Sequence, residues 1–266
     1  RFRPPFSPVS LGSLAAERVG ELKPDRLTPM HDWHVENGAT MYTAGLWYRP
    51  QIYGQPGETI EQAYVRETRG TRGSVGIVDV STLGKIELQG RDAGELIGRM
   101  YINRWDNLQV GRCRYGVMLR EDGIILDDGT TSRLGPTHYL MTTTTVNAVK
   151  AMQQIEFLLQ ADWTDLEVFA TSVTEQWAAA AISGPNARKV LAKVLDIDVS
   201  NAAFPFLAVA ECRLRVADGT LPARLFRMSY SGENAYELHV PADRGLAMWE
   251  AVLAAGEEFG IMPYGT

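Results

Sequence analysis

The sequence has few of the residues from which disulfide scaffolds and metal centres are built. Its 266 residues include two cysteines, Cys113 and Cys212, and four histidines. Two cysteines exclude a disulfide-rich scaffold and a cysteine-based metal cluster, and they are compatible with a reducing compartment. The sequence also lacks any apolar run near the ~18 residues that a membrane span requires. A cytoplasmic protein without a membrane-spanning helix is therefore expected.

Several functional motifs are absent as well. The sequence has no G-x-G-x-x-G after a strand, no G-x-x-x-x-G-K-[ST], no G-x-S-x-G and no H-E-x-x-H. It therefore shows no dinucleotide, P-loop, serine-hydrolase or zinc-protease site of its own. The formal net charge of -6 argues against nucleic-acid binding, which usually requires a basic surface. With 45% hydrophobic and 22% charged residues, the composition is that of a globular protein with a sizeable core.

Proline is concentrated near the start of the sequence, where seven of the thirteen prolines lie within the first 60 residues. Residues 1–45 are therefore predicted to form an extended Pro-rich linker or strap, and residues 46–266 a single domain. Within the strap, His31, Asp32 and His34 could bind a metal if the segment were helical. Two histidines and one aspartate leave the coordination incomplete, so packing contacts are the alternative and no metal is expected.

From residue 60 onwards, periodic segments of two kinds alternate. Helices are predicted where apolar residues recur every three to four positions, and strands where they alternate. The interleaving of these segments favours an α+β fold of antiparallel sheets with flanking helices. The predicted helices cover residues 60–70, 92–101 and 146–160, with two more opening at Gly184-Pro185 and at Pro241. The predicted strands cover residues 74–80, 84–88, 114–120, 123–126, 138–143, 166–171, 177–182, 206–215, 223–229 and 237–240.

Carboxylates in two predicted strand segments are the sharpest chemical features. Asp127 and Asp128 follow the apolar run of residues 124–126. Because neighbours in a strand face opposite sides, one of the two is predicted to point inward, where a carboxylate needs a partner. The alternative is a turn acid that caps the loop at Gly129. Glu237 lies inside an apolar segment, and a glutamate is unusual there if the strand is buried. The alternative is that Glu237 belongs to an edge strand and faces water.

Four segments, in this order, resemble the glycine-cleavage T-protein (aminomethyltransferase) superfamily. They contain D-V-S-T-L, a tyrosine strand ending in D-D, G-P-N-A-R-K-V-L and Y-S-G-E-N-A-Y-E, and they cover residues 75–93, 113–128, 182–191 and 230–241. The resemblance extends over residues ~70–266 and implies the folate-binding fold of that superfamily. The superfamily's C-terminal barrel subdomain is not expected within these residues.

One branch of the superfamily is more similar than the others, namely the folate-binding part of the α subunits of heterotetrameric sarcosine oxidases. The stretches T-P-M-H-D-W-H-V-E-N-G-A, V-G-R-C-R-Y-G-V-M-L and H-Y-L-M-T-T-T-T carry this likeness, at residues 28–39, 110–119 and 138–145. It implies tetrahydrofolate as the cofactor of this domain and other oxidase subunits as partners. FAD, FMN and NAD are expected in the parent complex, but not bound by this segment.

The resemblance also implies a reaction. A partner subunit oxidises sarcosine to a methylene iminium ion of glycine, and tetrahydrofolate takes the carbon here as 5,10-methylenetetrahydrofolate. Asp128 matches the position of the catalytic acid near the reacting folate nitrogens, with Asp127 as the fallback. Glu237 matches the carboxylate that accepts two parallel donors of the pterin edge.

Four further residues match positions that line the family's folate pocket. Tyr115 and Tyr230 match aromatic positions that stack on the pterin or hydrogen-bond to it. Leu83 and Thr144 match wall positions, and both differ from the residues frequent in T-proteins. These two differences favour the oxidase branch over glycine cleavage.

Three other functions remain open at this stage. The first is another enzyme of the superfamily, either a true T-protein or the folate domain of a dimethylglycine oxidase. The second is a non-catalytic folate-binding module that serves assembly. The third is a metal hydrolase built on His31 and His34.

Overall fold

Two sheets form the centre of the fold, and helices cover the outer face of each. The fold is that of a computed structural model, which describes residues 26–266. One sheet has six strands and the other has five, and all neighbouring strands are antiparallel except one short parallel pair. This confirms the predicted α+β class of antiparallel sheets with flanking helices.

The described residues form six α-helices and thirteen strands. The helices are α1 (His31–Glu36), α2 (Ile60–Gly73), α3 (Ala93–Met100), α4 (Ala148–Phe157), α5 (Ala187–Val194) and α6 (Gly245–Gly256). The first seven strands are β1 (Ala39–Ala44), β2 (Trp47–Tyr53), β3 (Gly76–Asp79), β4 (Gly84–Gln89), β5 (Arg112–Leu119), β6 (Ile125–Gly135) and β7 (His138–Thr143). The others are β8 (Phe169–Ser172), β9 (Trp177–Ser183), β10 (Val209–Val216), β11 (Gly219–Phe226), β12 (Ala235–Pro241) and β13 (Met262–Pro263).

Strand order brings distant parts of the chain together. The six-stranded sheet has the order β10-β11-β12-β9-β3-β13, and the five-stranded sheet has the order β5-β6-β7-β4-β8. Strands β1 and β2 form a separate two-stranded ribbon. A turn joins β5 to β6, and Gly123 adopts φ 79° there, a left-handed conformation that glycine adopts without strain.

Each sheet has an outer face on helices and an inner face toward the other sheet. Leu191 of α5 and Trp249 of α6 pack on the outer face of the six-stranded sheet, in a cluster with Leu238. The outer face of the five-stranded sheet packs on α3 and α4. A third buried cluster joins the inner faces and includes Cys113 of β5 and Phe226 of β11. Because side chains alternate along each strand, these contacts identify which residues face the space between the sheets.

The N-terminal part of the described chain differs from the prediction. Residues 1–25 of the expected strap lie outside the described residues, and residues 31–44 form α1 and β1 rather than an extended segment. The physical reason is a buried polar contact that proline content does not reveal. His34 of α1 is fully buried, and its Nε2 lies 3.1 Å from a carboxylate oxygen of Asp79 in β3. Its Nδ1 lies 2.8 Å from the hydroxyl oxygen of Tyr53 in β2, which ties α1 to the six-stranded sheet and the ribbon.

Candidate functional site

Asp127 holds the start of α4 in place. It lies opposite Met118 of β5, is 3% exposed and accepts three hydrogen bonds. Two come from Thr144, from its backbone N–H at 3.0 Å and its hydroxyl at 2.7 Å. The third comes from the side-chain amide of Asn147 at 3.2 Å, directly before α4. A buried carboxylate with three donors is satisfied by the protein itself and has a structural role.

Asp128 lies on the opposite face of β6, the inner face. It is opposite Val117, is half-buried, and accepts a hydrogen bond of 3.0 Å from the Tyr115 hydroxyl. This bond, together with the nearby charge, raises the pKa of Tyr115 above its ordinary value because the neutral phenol is the donor. Tyr115 is 53% exposed, so the pair lies where the inner face opens to solvent.

Gly129 allows β7 to approach closely beside Asp128. A Cβ at this position would lie 2.0 Å from the Thr142 carbonyl oxygen, so no other residue fits. Next to this contact, the hydroxyl oxygens of Thr130 and Thr142 lie 2.9 Å apart. The Thr130 hydroxyl also donates to the sulfur of Met228 at 3.6 Å. Met228 follows β11, so the inner face of β6 lies against the other sheet.

Glu237 lies on the inner face of the six-stranded sheet. It is opposite Phe226 of β11 on one side and Ala181 of β9 on the other. Its side chain is 17% exposed, and one carboxylate oxygen lies 3.4 Å from Nε2 of His239. Since Phe226 belongs to the cluster that joins the sheets, Glu237 faces the five-stranded sheet. Asp128 and Glu237 therefore lie on facing inner surfaces rather than on opposite sides of the molecule.

A buried lysine, which the sequence did not single out, also faces this space. Lys85 of β4 is 1% exposed, and its Nζ donates to the carbonyl oxygens of Ser81 and Leu83, both at 2.9 Å. Burial lowers the pKa of Lys85 to about 8, and the charges of Glu237 and Asp79 oppose that shift. The neighbouring pattern K-I-E-L is typical of a strand with one solvated face. Both faces of β4 are covered here, and this burial distinguishes Lys85 from a surface lysine.

A charged contact crosses between the sheets near Lys85. Glu87 of β4 accepts a hydrogen bond of 2.8 Å from Arg224 of β11, whose guanidinium also lies over the ring of Trp177, 4.3 Å from its centroid. Burial alone would raise the pKa of Glu87, but Arg224 and His138 hold it below its ordinary value. Glu87, Arg224 and His138 thus form a network of paired charges in this part of the inner surface.

Leu83, Thr144 and Tyr230 are the remaining predicted site residues. Leu83 is half-buried in the turn before β4, and its carbonyl accepts a hydrogen bond from Lys85. Thr144 is half-buried, and its hydroxyl is engaged by Asp127. Tyr230 is fully exposed in the loop before β12 and makes no hydrogen bond or ring contact with the described residues. The structure therefore does not bring its ring into contact with Asp128 or Glu237.

The histidines of α1 form no metal centre with the described residues. His34 is engaged by Asp79 and Tyr53, and its ring packs edge-on against Trp249, with 4.9 Å between centroids. Within residues 26–266, no group of three or more histidine, cysteine, aspartate or glutamate side chains could hold a metal ion. Nor does this part of the chain contain a helix long and apolar enough to cross a membrane.

A cavity of about 310 Å³ does not include the two carboxylates in its lining. Trp47, Ser81 and Trp177 contribute to its lining, but none of the predicted site residues does. Its one acidic lining residue, Glu175, is paired with Arg26 at 3.3 Å. The described lining of this cavity therefore has no unpaired carboxylate, unlike the space between the sheets.

Comparisons with known proteins agree with the predicted resemblance. The chain is 49% identical to the sarcosine oxidase subunit alpha of Corynebacterium sp. (strain U-96) over 267 residues, which is 100% of this chain and 27% of that protein. The chain thus spans about a quarter of the length of this curated relative. These findings confirm the likeness to sarcosine oxidase α subunits.

Two solved structures have the same fold. The glycine cleavage system aminomethyltransferase T from Bartonella henselae matches with a TM-score of 0.75 and 23% identity, covering 90% of this chain and 59% of that chain. A chain of the heterotetrameric sarcosine oxidase from Corynebacterium sp. U-96 in complex with pyrrole 2-carboxylate matches with a TM-score of 0.56 and 14% identity, covering 88% and 96%. The family model described as the GCVT N-terminal domain matches residues 30–266. The chain therefore belongs to the GCVT N-terminal domain family.

Proposed function

We propose that this chain is the folate-binding domain of a sarcosine oxidase α subunit. In this proposal it transfers the one-carbon unit of oxidised sarcosine, a methylene iminium ion, to tetrahydrofolate to give 5,10-methylenetetrahydrofolate. The observation that carries the proposal is the placement of Asp128 and Glu237, two half-buried carboxylates on facing inner surfaces of the sheets. The whole-chain similarity to a sarcosine oxidase α subunit supports the choice of reaction.

The donor and acceptor chemistry of Glu237 fits the pterin ring. The pterin edge presents an N–H beside an amino group, and a carboxylate accepts two parallel hydrogen bonds from such a pair. Among the described side chains, the hydrogen-bond partner of Glu237 is His239, at 3.4 Å, which leaves acceptor capacity for a ligand. Its 17% exposure makes an unpaired carboxylate costly, so a ligand with two donors would be bound with both orientation and affinity.

Asp128 fits the role of the acid beside the reacting atoms. Tetrahydrofolate supplies the amine nitrogens that attack the iminium carbon. A half-buried carboxylate would stabilise the iminium cation electrostatically, and it would pass the proton that each of the two reacting folate nitrogens loses to the nitrogen of the departing glycine. Tyr115 holds one Asp128 oxygen at 3.0 Å, which leaves the other oxygen for this task. Asp127 does not fit the role, since its oxygens are occupied by Thr144 and Asn147.

The parent complex supplies the rest of the reaction in this proposal. Other subunits of a sarcosine oxidase, with FAD, FMN and NAD, oxidise sarcosine and deliver the iminium ion. Tyr230 and Leu83 are proposed to contact the folate, Tyr230 from its exposed loop and Leu83 from the turn before β4. Thr144 contributes through its bond to Asp127.

Asp128→Asn tests the proposal in the full-length chain assembled with its partner subunits. The variant is given sarcosine and tetrahydrofolate, and 5,10-methylenetetrahydrofolate and formaldehyde are both measured. We expect the ratio of 5,10-methylenetetrahydrofolate to formaldehyde to fall by roughly 100-fold or more, as it does when an acid–base group is removed. Asp122→Asn is the matched control, because Asp122 is an exposed acid in the turn of the same hairpin.

Two outcomes would contradict the proposal. If Asp128→Asn leaves the product ratio unchanged while tetrahydrofolate still binds, the domain is a non-catalytic folate-binding module. If neither the wild-type protein nor the variant binds tetrahydrofolate, the folate function itself is wrong.

A further inference from the structure

Ser183 of β9 has a buried hydroxyl group whose proton is not used. The residue is 4% exposed, and its Oγ accepts a hydrogen bond of 3.4 Å from the Tyr264 hydroxyl. Within residues 26–266, the proton of the Ser183 hydroxyl has no acceptor of its own. A buried donor without an acceptor is costly, because it has lost its contact with water and gained no partner. A ligand that brings an acceptor atom to this point would therefore be favoured.

Strand register places Ser183 beside Glu237 on the same face of one sheet. Glu237 lies opposite Ala181 in the ladder of β12 and β9, and Ser183 is two residues after Ala181. Because residues two apart share a face, Ser183 and Glu237 are diagonal neighbours, and their backbones are about 7–8 Å apart. Ala180 and Ile182 face the other way, into the outer cluster under the helices. The Ser183 hydroxyl therefore belongs to the inner face, as the Glu237 carboxylate does.

The sheet surface between Ser183 and Glu237 carries only small side chains. Ala235 pairs with Ser183 and Ala181 pairs with Glu237, and both alanines end at Cβ. Ala181 is half-buried, so this part of the inner face is accessible. His239, which contacts Glu237 at 3.4 Å, follows it along β12 in the direction away from Ser183. A flat ring that approaches Glu237 from the side of Ser183 thus meets no large side chain of these two strands.

Tyr264 holds the Ser183 hydroxyl from the neighbouring strand. Gly76 of β3 pairs with Ser183, and a Cβ on Gly76 would lie 2.7 Å from the Tyr264 ring. Because Gly76 has no side chain, the ring can lie over β3 with its hydroxyl at Ser183. Burial raises the pKa of Tyr264, so its hydroxyl keeps the proton that it donates. This bond occupies a lone pair of Ser183 and leaves the Ser183 proton for another acceptor.

The edge of a pterin ring carries a third polar group beside the two donors. A ring carbonyl oxygen follows the amino group and the N–H, so the order along the edge is donor, donor, acceptor. A carboxylate pairs with the two donors, and a hydroxyl next to it can donate to the oxygen. We propose that Ser183 donates a hydrogen bond to the ring carbonyl oxygen of the pterin, and that Tyr264 orients Ser183 for this contact. This inference rests on the proposed folate function and adds the residue that recognises the oxo form of the ring.

Two ligands test the inference in the full-length, assembled protein. Calorimetry gives the dissociation constants of tetrahydrofolate and of tetrahydroaminopterin, in which an amino group replaces the ring carbonyl oxygen, with a displacement titration for the weaker ligand. We expect Ser183→Ala to weaken tetrahydrofolate binding about fivefold, the contribution of one neutral hydrogen bond, and to change binding of the amino analogue less than about twofold. Tyr264→Phe should change the ratio of the two constants in the same direction by a smaller factor. Ser172→Ala, at an exposed position of β8, is the control and should change neither constant.

Glu237→Gln separates a failure of this inference from a failure of the proposed function. If Glu237→Gln leaves the dissociation constant of tetrahydrofolate unchanged, the proposed folate anchor is wrong. If Glu237→Gln weakens binding but Ser183→Ala does not, the inference is wrong and the anchor stands. If Ser183→Ala weakens binding of both ligands equally, Ser183 has only a structural role and the inference is again wrong. Tyr264→Phe decides by the same ratio if Ser183→Ala does not fold.

Discussion

Asp127 and Asp128 are neighbours in the chain, but their carboxylates lie on opposite faces of β6 and have different surroundings. Asp127 is buried on the outer side, where three donors from residues 144–147 satisfy it. Asp128 is half-buried on the inner side and accepts from Tyr115 alone among the described residues. The alternation of strand side chains thus separates a structural acid from an acid that is available for chemistry.

Substitution of the two aspartates should therefore affect different properties. Asp127→Ala leaves three donors without an acceptor in a buried site, and we expect it to lower the free energy of unfolding by about 2–4 kcal/mol. Asp128→Ala should lower it by less than about 1 kcal/mol, because its site is open to solvent. Urea denaturation followed by tryptophan fluorescence measures both. Equal losses for the two variants would contradict the division of roles.

Tyr115 provides a test of how Asp128 is held. Tyr115→Phe removes the 3.0 Å hydrogen bond to Asp128 and keeps the ring, which is 53% exposed. We expect the fraction of carbon recovered as 5,10-methylenetetrahydrofolate to fall about tenfold, since a misplaced carboxylate loses part of its catalytic effect. The thermal midpoint should change little. An unchanged product fraction would show that Tyr115 does not orient Asp128.

Two glutamates of the Y-S-G-E-N-A-Y-E segment allow a matched comparison. Glu237 is the proposed pterin anchor, whereas Glu233 lies in the preceding loop and pairs with Arg72 at 3.2 Å. Glu237→Ala should weaken tetrahydrofolate binding by about 1.5–3 kcal/mol, the contribution of hydrogen bonds to a charged group. Glu233→Ala should leave binding unchanged, because its partner is an exposed arginine. If the two substitutions change tetrahydrofolate binding equally, Glu237 is not the residue that anchors the pterin.

Much of the fold follows from local patterns. The predicted strand at residues 138–143 matches β7 in its bounds. The prediction was weakest where contacts between residues far apart in the sequence determine the local structure. Asp92, directly before α3, is of a residue type that often caps helices, but its side chain instead accepts a hydrogen bond of 2.8 Å from the Glu167 backbone. Strand β13 is two residues long and exists through its pairing with β3, which no local pattern indicates.

The candidate site shows the same limit. The inward direction of one acid in the D-D pair follows from strand alternation, but only the structure indicates which acid is satisfied by the protein. Lys85 was missed because its alternation with Ile86 is equally typical of a strand with a solvated face. Its burial depends on the six-stranded sheet, whose strands are supplied by residues 76–79 and 177–263. A charge that is buried by distant segments cannot be recognised from its own neighbours.

The contact between Asp79 and His34 should make the fold sensitive to acid. Burial alone would raise the pKa of Asp79, but the hydrogen bond and charge of His34 hold it below its ordinary value. A carboxyl group with a lowered pKa contributes stability above its unfolded pKa of about 4, and this contribution is lost as the pH falls through the folded pKa. Asp79→Asn should cost about 3 kcal/mol at neutral pH, because it breaks a buried pair, and the difference from wild type should shrink below about pH 4. A constant difference between pH 7 and pH 3 would show that the pair does not titrate as proposed.

Lys85 should produce a dependence of the same sign at alkaline pH, where its contribution to stability also rises with pH. The pKa of Lys85 is lowered to about 8, chiefly by burial, against about 10.4 for an unfolded lysine. Between these values the unfolded chain binds more protons than the folded chain, so the contribution of Lys85 to stability rises with pH by at most about 1.4 kcal/mol per unit. The difference in unfolding free energy between wild type and Lys85→Met should therefore shift in favour of wild type from pH 7.5 to pH 9.5. Lys150→Met, on the exposed side of α4, is the control and should show no such shift. If Lys85→Met and Lys150→Met behave alike, the ammonium group of Lys85 is not held in the desolvated site between the sheets.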